Sequence, residues 1–250
     1  MWNPVTITVI VCAVLLVLLV TYWLTRKPLT PIQWILYNIS WAFSRILWRT
    51  RVSGPLPLAD GEGALIIANH RSSIDPFIIQ LAAGPQIVHW MVAQLYGPNT
   101  IISRMLRCWE IIPVYRGSTN AAPTKTAIRL ARKGKLVGMF PEGTVNTTDD
   151  FMLPVRPGAI LVAMKSRVPI LPCYIENAPY HKVAWRPLFI PAKARLIVGT
   201  PIDLSEHYGK EHDRDLVREI TLQCAREIAA LAQREDFEPS NAGRDWKTWE

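Results

Sequence analysis

From about Leu56 onward, short apolar runs alternate with amphipathic stretches, and this alternation restricts the fold more than any other feature. ALIIAN, IVHWMVA, EIIPVY, LVGMF, PILPCYI and ARLIVG read as buried strands. PFIIQLAA, TIISRMLRCW, PTKTAIRLARKG, PGAILVAMKS and the long DRDLVREITLQCAREIAALAQR have helical spacing. In the last of these, Leu216, Ile220, Cys224, Ile228 and Leu231 recur at three- to four-residue steps. Strands apolar on both sides need cover on both faces. The expectation is therefore an α/β domain, a mostly parallel central sheet flanked by helices, over residues 56–234. Residues 235–250, EDFEPSNAGRDWKTWE, read as a polar, loosely held tail.

Ligands of open α/β sheets bind beyond the carboxyl ends of the strands. Three polar clusters fall there. His70 follows ALIIAN, Arg116 follows EIIPVY, and Glu142, Gly143 and Thr144 follow LVGMF and Pro141. The stretch from Arg116 to Leu136 holds one helix, the length of a crossover between parallel strands, so the clusters are expected to meet at one sheet edge.

Asp75 lies five residues after His70 and is followed by Pro76 and an apolar helical stretch. An aspartate N-cap with proline at the first helical position is a strong helix start. A capping carboxylate with a second oxygen aimed across the loop takes Nδ1–H of an imidazole and leaves Nε2 as a base. A satisfied structural histidine is the plain alternative. Ser72 and Ser73 are candidate nucleophiles only in principle, because they share the same short loop.

Four motifs in order then resemble the glycerolipid acyltransferases of the lysophosphatidic acid acyltransferase family. NHRSSID carries the HxxxxD pattern with His70 and Asp75, IPVYR ends in Arg116, FPEGT covers Phe140 to Thr144, and VPILP covers Val168 to Pro172. The resemblance implies acyl transfer from a thioester, acyl-CoA or acyl-ACP, to a lipid hydroxyl, with no other cofactor and no metal. It makes His70 the base and Asp75 its orienter. Arg116 is its phosphate fork, with backbone N–H groups around Gly143 as further donors. Glu142 is expected to orient Arg116 or a substrate hydroxyl. Where many members continue FPEGT with arginine, this chain has Val145. Arg156, in VRPGA, stands as a further phosphate contact.

The amino-terminal fifth points to a membrane. Val5–Leu24 is a twenty-residue run without charge or proline, long enough as a helix to cross roughly 30 Å of hydrocarbon. Tyr22 and Trp23 suit an interface, and Arg26 and Lys27 follow the run while nothing basic precedes it. The positive-inside rule then leaves the rest of the chain on the cytoplasmic face of a single-pass anchor. Residues 31–52 read as an amphipathic interfacial helix. Ile32, Ile35, Leu36, Ile39, Phe43, Ile46 and Leu47 make an aliphatic face, with Trp34, Trp41 and Trp48 as a stripe opposite. Residues 1–55 thus form a membrane anchor.

The net charge is +8, and no Asp or Glu precedes Asp60. With no nucleic-acid motif present, anionic lipid is the expected partner of that charge. Cys12, Cys108, Cys173 and Cys224 have no metal-ligand spacing and read as free thiols. The expectation is a membrane-bound enzyme making phosphatidic acid from 1-acyl-glycerol 3-phosphate. Its rivals are the same chemistry on another lysolipid or lipid alcohol, a hydrolase, and a non-catalytic lipid-binding scaffold.

Overall fold

The structure is a computed structural model that describes residues 3, 11, 13–15, 29–59, 61–93, 101–114 and 121–242. Arg116 and most of the expected span 5–24 lie outside these residues. Val11 and residues 13–15 are helical, with Val11, Val14 and Leu15 exposed. Among the described residues no helix is long and apolar enough to cross a membrane, so the expected transmembrane helix finds no support in them.

Helix α1 (Pro31–Ala42) is opened by a capping box. The Thr30 hydroxyl accepts the Gln33 N–H, and the Gln33 side chain accepts the Thr30 N–H. The helix does not run on to residue 52. It widens into a π-turn (Phe43–Leu47) in which the Trp48 N–H reaches back five residues to Phe43 O. The chain then enters strand β1 (Arg51–Val52). The extra residue of the π-turn shifts the helical phase. Trp34, Trp41 and Trp48 therefore do not share a face. Trp41 is exposed and Trp48 is buried, while Ile32, Ile35, Ile39 and Ile46 point outward.

The remaining elements follow the expected alternation. They are β2 (Ala64–Ala68), α2 (Asp75–Ala83), β3 (Val88–Ala93), α3 (Ile101–Cys108), β4 (Ile112–Val114), α4 (Ala122–Arg132), β5 (Leu136–Met139), α5 (Gly158–Ser166), β6 (Ile170–Glu176), β7 (Arg195–Val198) and α6 (Arg214–Leu231). One seven-stranded sheet has the order β1-β7-β6-β2-β5-β3-β4. Every neighbouring pair is parallel except β6–β7.

Strand β2 is central, and all five of its residues are buried. Its pleat divides them between two cores. Leu65 and Ile67 pack with α4, α5 and α6, whereas Ala64, Ile66 and Ala68 pack with α2 and Trp48. Each fully buried isoleucine there contributes about 2 kcal/mol. His70 is thus attached to the best-buried strand of the sheet.

Two expected boundaries change. β1 pairs with β7, and Trp48 belongs to the core, so the anchor segment 1–55 merges into the domain before residue 56. The tail is also held as far as Ala242. Val155 N–H donates to Ser240 O at 2.8 Å, and Ala242 N–H donates to Val155 O at 2.9 Å. The Phe237 ring meets Phe151 edge-on at 5.0 Å.

Candidate active site

The ends of β2, β5 and β6 lie along one edge, and the loops leaving them build the site. Asn69 ends the β2 run. Its amide donates to Ile175 O at 2.9 Å and accepts from Ile175 N–H at 2.8 Å, extending the β2–β6 pairing by a side chain. The next residue, His70, is thereby released from the sheet plane while its backbone is held.

His70 Nδ1 lies 2.9 Å from Asp75 Oδ2. The same oxygen accepts the N–H groups of Arg71 and Ser72, each at 2.8 Å. A carboxylate only accepts, so the proton of the pair sits on Nδ1, and in the neutral imidazole this leaves the lone pair on Nε2. Asp75 is fully buried, while the His70 side chain is 14% exposed. Asp75 Oδ1 is buried without a hydrogen-bond partner. The expected helix cap is not what forms. Helix α2 begins at Asp75 itself, and no side chain caps its N-terminus. The aspartate turns back and ties up the loop that carries the histidine.

Phe140, at the end of β5, supplies a platform. The imidazole of His70 stacks on its ring at 3.8 Å between centroids. That ring stacks in turn on Trp90 of β3 at 4.6 Å, 16° from parallel. Trp90 lies so close over Gly138 that a Cβ there would sit 2.6 Å from the indole. A glycine inside a strand signals close approach, and this one was legible in LVGMF without its partner being legible.

The FPEGT turn closes the site from β5. Gly143 has φ +73°, in the left-handed region that glycine occupies without strain. Its N–H donates to Phe140 O at 3.0 Å, so this backbone donor, expected to face substrate, is spent within the turn. Glu142 is tied to the backbone through both carboxyl oxygens. It is buried, one carboxyl oxygen accepts the His70 N–H at 2.7 Å, and the other accepts the Leu153 N–H at 2.8 Å. It joins the histidine loop to the segment before α5. Burial pushes its pKa up to about 8, outweighing the two N–H donors.

Thr144 is half-buried just past the turn. Asn146 N–H then donates to His70 O at 2.6 Å. Arg71 clasps the same loop through Thr148 O at 2.6 Å. Arg156 joins the cluster because Gly143 lacks a side chain. A Cβ at residue 143 would meet Arg156 Nε at 3.1 Å, and Arg156 N–H donates to Pro141 O at 2.9 Å.

The two loop serines are engaged elsewhere. Ser72 Oγ donates to Pro179 O and Ser73 Oγ to Ala184 O, both at 2.5 Å. Neither is presented as a nucleophile. Among the described residues no three His, Cys, Asp or Glu side chains gather as metal ligands.

A three-layer α/β sheet with a histidine–aspartate pair hung from its central strand and an FPEGT turn beside it defines the class of protein as an acyltransferase-type α/β protein. Residues 49–176 match the family described as Acyltransferase, and the chain belongs to that family. It is similar to the 1-acyl-sn-glycerol-3-phosphate acyltransferase of Bacillus subtilis (strain 168), with 29% identity over 56% of this chain and 67% of that protein. It is 31% identical to the one from Borreliella burgdorferi over half of each chain. The crystal structure of the 1-acyl-sn-glycerophosphate (LPA) acyltransferase PlsC from Thermotoga maritima shares the fold. It matches at a TM-score of 0.58 with 20% identity, over 79% of this chain and 77% of that one.

Proposed function

We propose that the chain moves an acyl group from a thioester, acyl-CoA or acyl-ACP, to the free hydroxyl of 1-acyl-glycerol 3-phosphate, giving phosphatidic acid at a membrane. The observation that carries this reading is the His70–Asp75 contact at 2.9 Å, with Nε2 left as the basic nitrogen beside an FPEGT turn. The similarity to the 1-acyl-sn-glycerol-3-phosphate acyltransferases of Bacillus subtilis and Borreliella burgdorferi supports this acceptor.

Nε2 takes the hydroxyl proton as the acceptor oxygen attacks the thioester carbonyl. The carbon–oxygen bond forms, and a tetrahedral oxyanion follows. Its collapse breaks the carbon–sulfur bond, and the imidazolium returns the proton to the leaving thiolate. Asp75 holds the ring and stabilises its charged form. Arg156, against the FPEGT turn, and Arg116 are the proposed phosphate contacts. Glu142 and Gly143 act by shaping the loops, and Thr144 is a further proposed contact to the acceptor.

The run Val5–Leu24, followed by Arg26 and Lys27, supports a single-pass anchor with the domain on the cytoplasmic face. The residues after FPEGT support a second acceptor reading. In place of an arginine, Val145 leads into a loop that binds Arg71 and His70 O.

The test is acyl transfer by membranes bearing the protein or its His70→Ala variant. Labelled thioester is offered with lysophosphatidic acid, lysophosphatidylcholine, glycerol 3-phosphate or no acceptor. Turnover on lysophosphatidic acid that falls at least about 10²-fold in the variant is expected. Turnover on another acceptor would move the substrate and keep the base. Thioester loss without acceptor, or none with any, would overturn the reading.

A further inference from the structure

The loop joining β6 to β7, residues 177–194, carries an apolar surface that the proposed chemistry does not use. Trp185 is 53% exposed and Phe189 63%, with Tyr180 and Val183 also exposed. Single exposed apolar residues are ordinary, but several large ones on one short loop are not. The Trp185 and Phe189 rings meet at 6.3 Å, and Phe189 meets Phe43 at 6.3 Å. Phe43 stands one helical step from Ile39 and from Ile46, which is 76% exposed. The patch is therefore continuous from the loop onto the outward face of α1 and its π-turn.

Its charge has one sign. No Asp or Glu occurs in residues 29–59 or 177–202, which hold Arg45, Arg49, Arg51, Lys182, Arg186, Lys193 and Arg195. The β1–β7 register sets Arg51 opposite Arg195, both exposed. Like charges facing across strands destabilise a sheet. Glu176 flanks Arg195 on the β6 side, yet no ion pair joins them among the described residues. Because β7 runs antiparallel to β6, its first residue, Arg195, stands at the same sheet edge as His70. Tryptophan and tyrosine among lysines and arginines suit the headgroup zone of an anionic bilayer. A two-fold contact with a second copy would instead set this positive edge against itself.

The loop is also fastened to the candidate site. Pro179 and Ala184 are the carbonyls held by Ser72 and Ser73, two and three residues after His70.

We propose that the 177–194 loop and the Arg51–Arg195 edge form a second membrane-contact surface, beside α1, that seats on anionic lipid and turns the His70 edge towards the bilayer. Its use in supplying the acceptor rests on the acyl-transfer reading above.

The test uses the full chain reconstituted in vesicles of phosphatidylcholine, alone or with phosphatidylglycerol, with photoreactive benzoylphenylalanine at Val183. Lipid adducts enriched in the anionic vesicles are expected. The enrichment should be lost in the Arg51→Gln, Arg195→Gln double variant. The Trp185→Ser, Phe189→Ser double variant should lose about tenfold or more of the turnover on bilayer acceptor and keep turnover on a monomeric short-chain acceptor. Adducts to a second copy of the chain, or no lipid adducts in anionic vesicles, would overturn the proposal. So would loop variants that turn over bilayer acceptor as the unaltered chain does. Lipid adducts from a chain that transfers no acyl group would sink the acyl-transfer reading and leave this surface standing.

Discussion

The imidazole of His70 lies flat on the ring of Phe140, with centroids 3.8 Å apart and planes 4° from parallel. Asp75 fixes one edge of the imidazole, and Phe140 fixes its face. An imidazolium formed during transfer would meet the negative face of the ring, an attraction of about 0.5–2 kcal/mol.

Phe140→Leu removes that face while keeping an apolar side chain. Turnover should fall about three- to thirtyfold with KM little changed, and Phe140→Tyr should restore most of it. Steady-state kinetics of the two variants decide the matter. Equal losses in both would show that ring stacking contributes nothing.

Asp75→Asn removes the charge that would stabilise an imidazolium at His70 and frees the ring to take the other tautomer. The acyl-transfer rate should drop on the order of 10²–10⁴-fold. Circular dichroism should report an intact fold. A variant with near-normal turnover would remove Asp75 from the mechanism.

Glu142 makes stability depend on pH. Its folded pKa is raised by burial from an ordinary 4.5 to about 8. Between those values the folded protein keeps a proton that the unfolded chain has released. The contribution is therefore full below about pH 4.5 and is lost as pH rises through 8, a change on the order of a few kcal/mol. Denaturant unfolding across that window should show a decline that is much shallower in Glu142→Gln, whatever the variant's absolute stability. Parallel profiles would refute the assignment.

Gly138→Ala places a methyl 2.6 Å from the Trp90 indole. The indole must tilt, and the strain should cost about 1–3 kcal/mol. Because Trp90 supports Phe140, and Phe140 supports His70, turnover should fall as well. Thermal unfolding and kinetics on the same preparation test both parts.

Much of this edge was legible in one dimension. The apolar runs fixed the strands, and His70, Asp75 and FPEGT each fall just past a strand end, where a parallel sheet collects ligands. Features that depend on contacts distant in sequence were not legible. Nothing near Glu142 announces that its acceptors are filled by His70 and Leu153, and nothing near Asn69 announces Ile175. Asp75 misled because an aspartate before proline has the composition of a cap, whereas its oxygen closes the loop behind it. The tail misled because its polar residues pair through backbone groups, at Val155, which carry no compositional signature.

The π-turn at Phe43–Leu47 shows how little separates a surface helix from a buried plug. Each residue in a helix advances the face by about 100°. Removing one from this turn would swing Trp48 out of the core it fills and rotate the downstream chain away from its place beside Ala194. That single additional residue is a joint of fixed angle. It lets one continuous segment show isoleucines to its surroundings at one end and close the interior of an enzyme domain at the other.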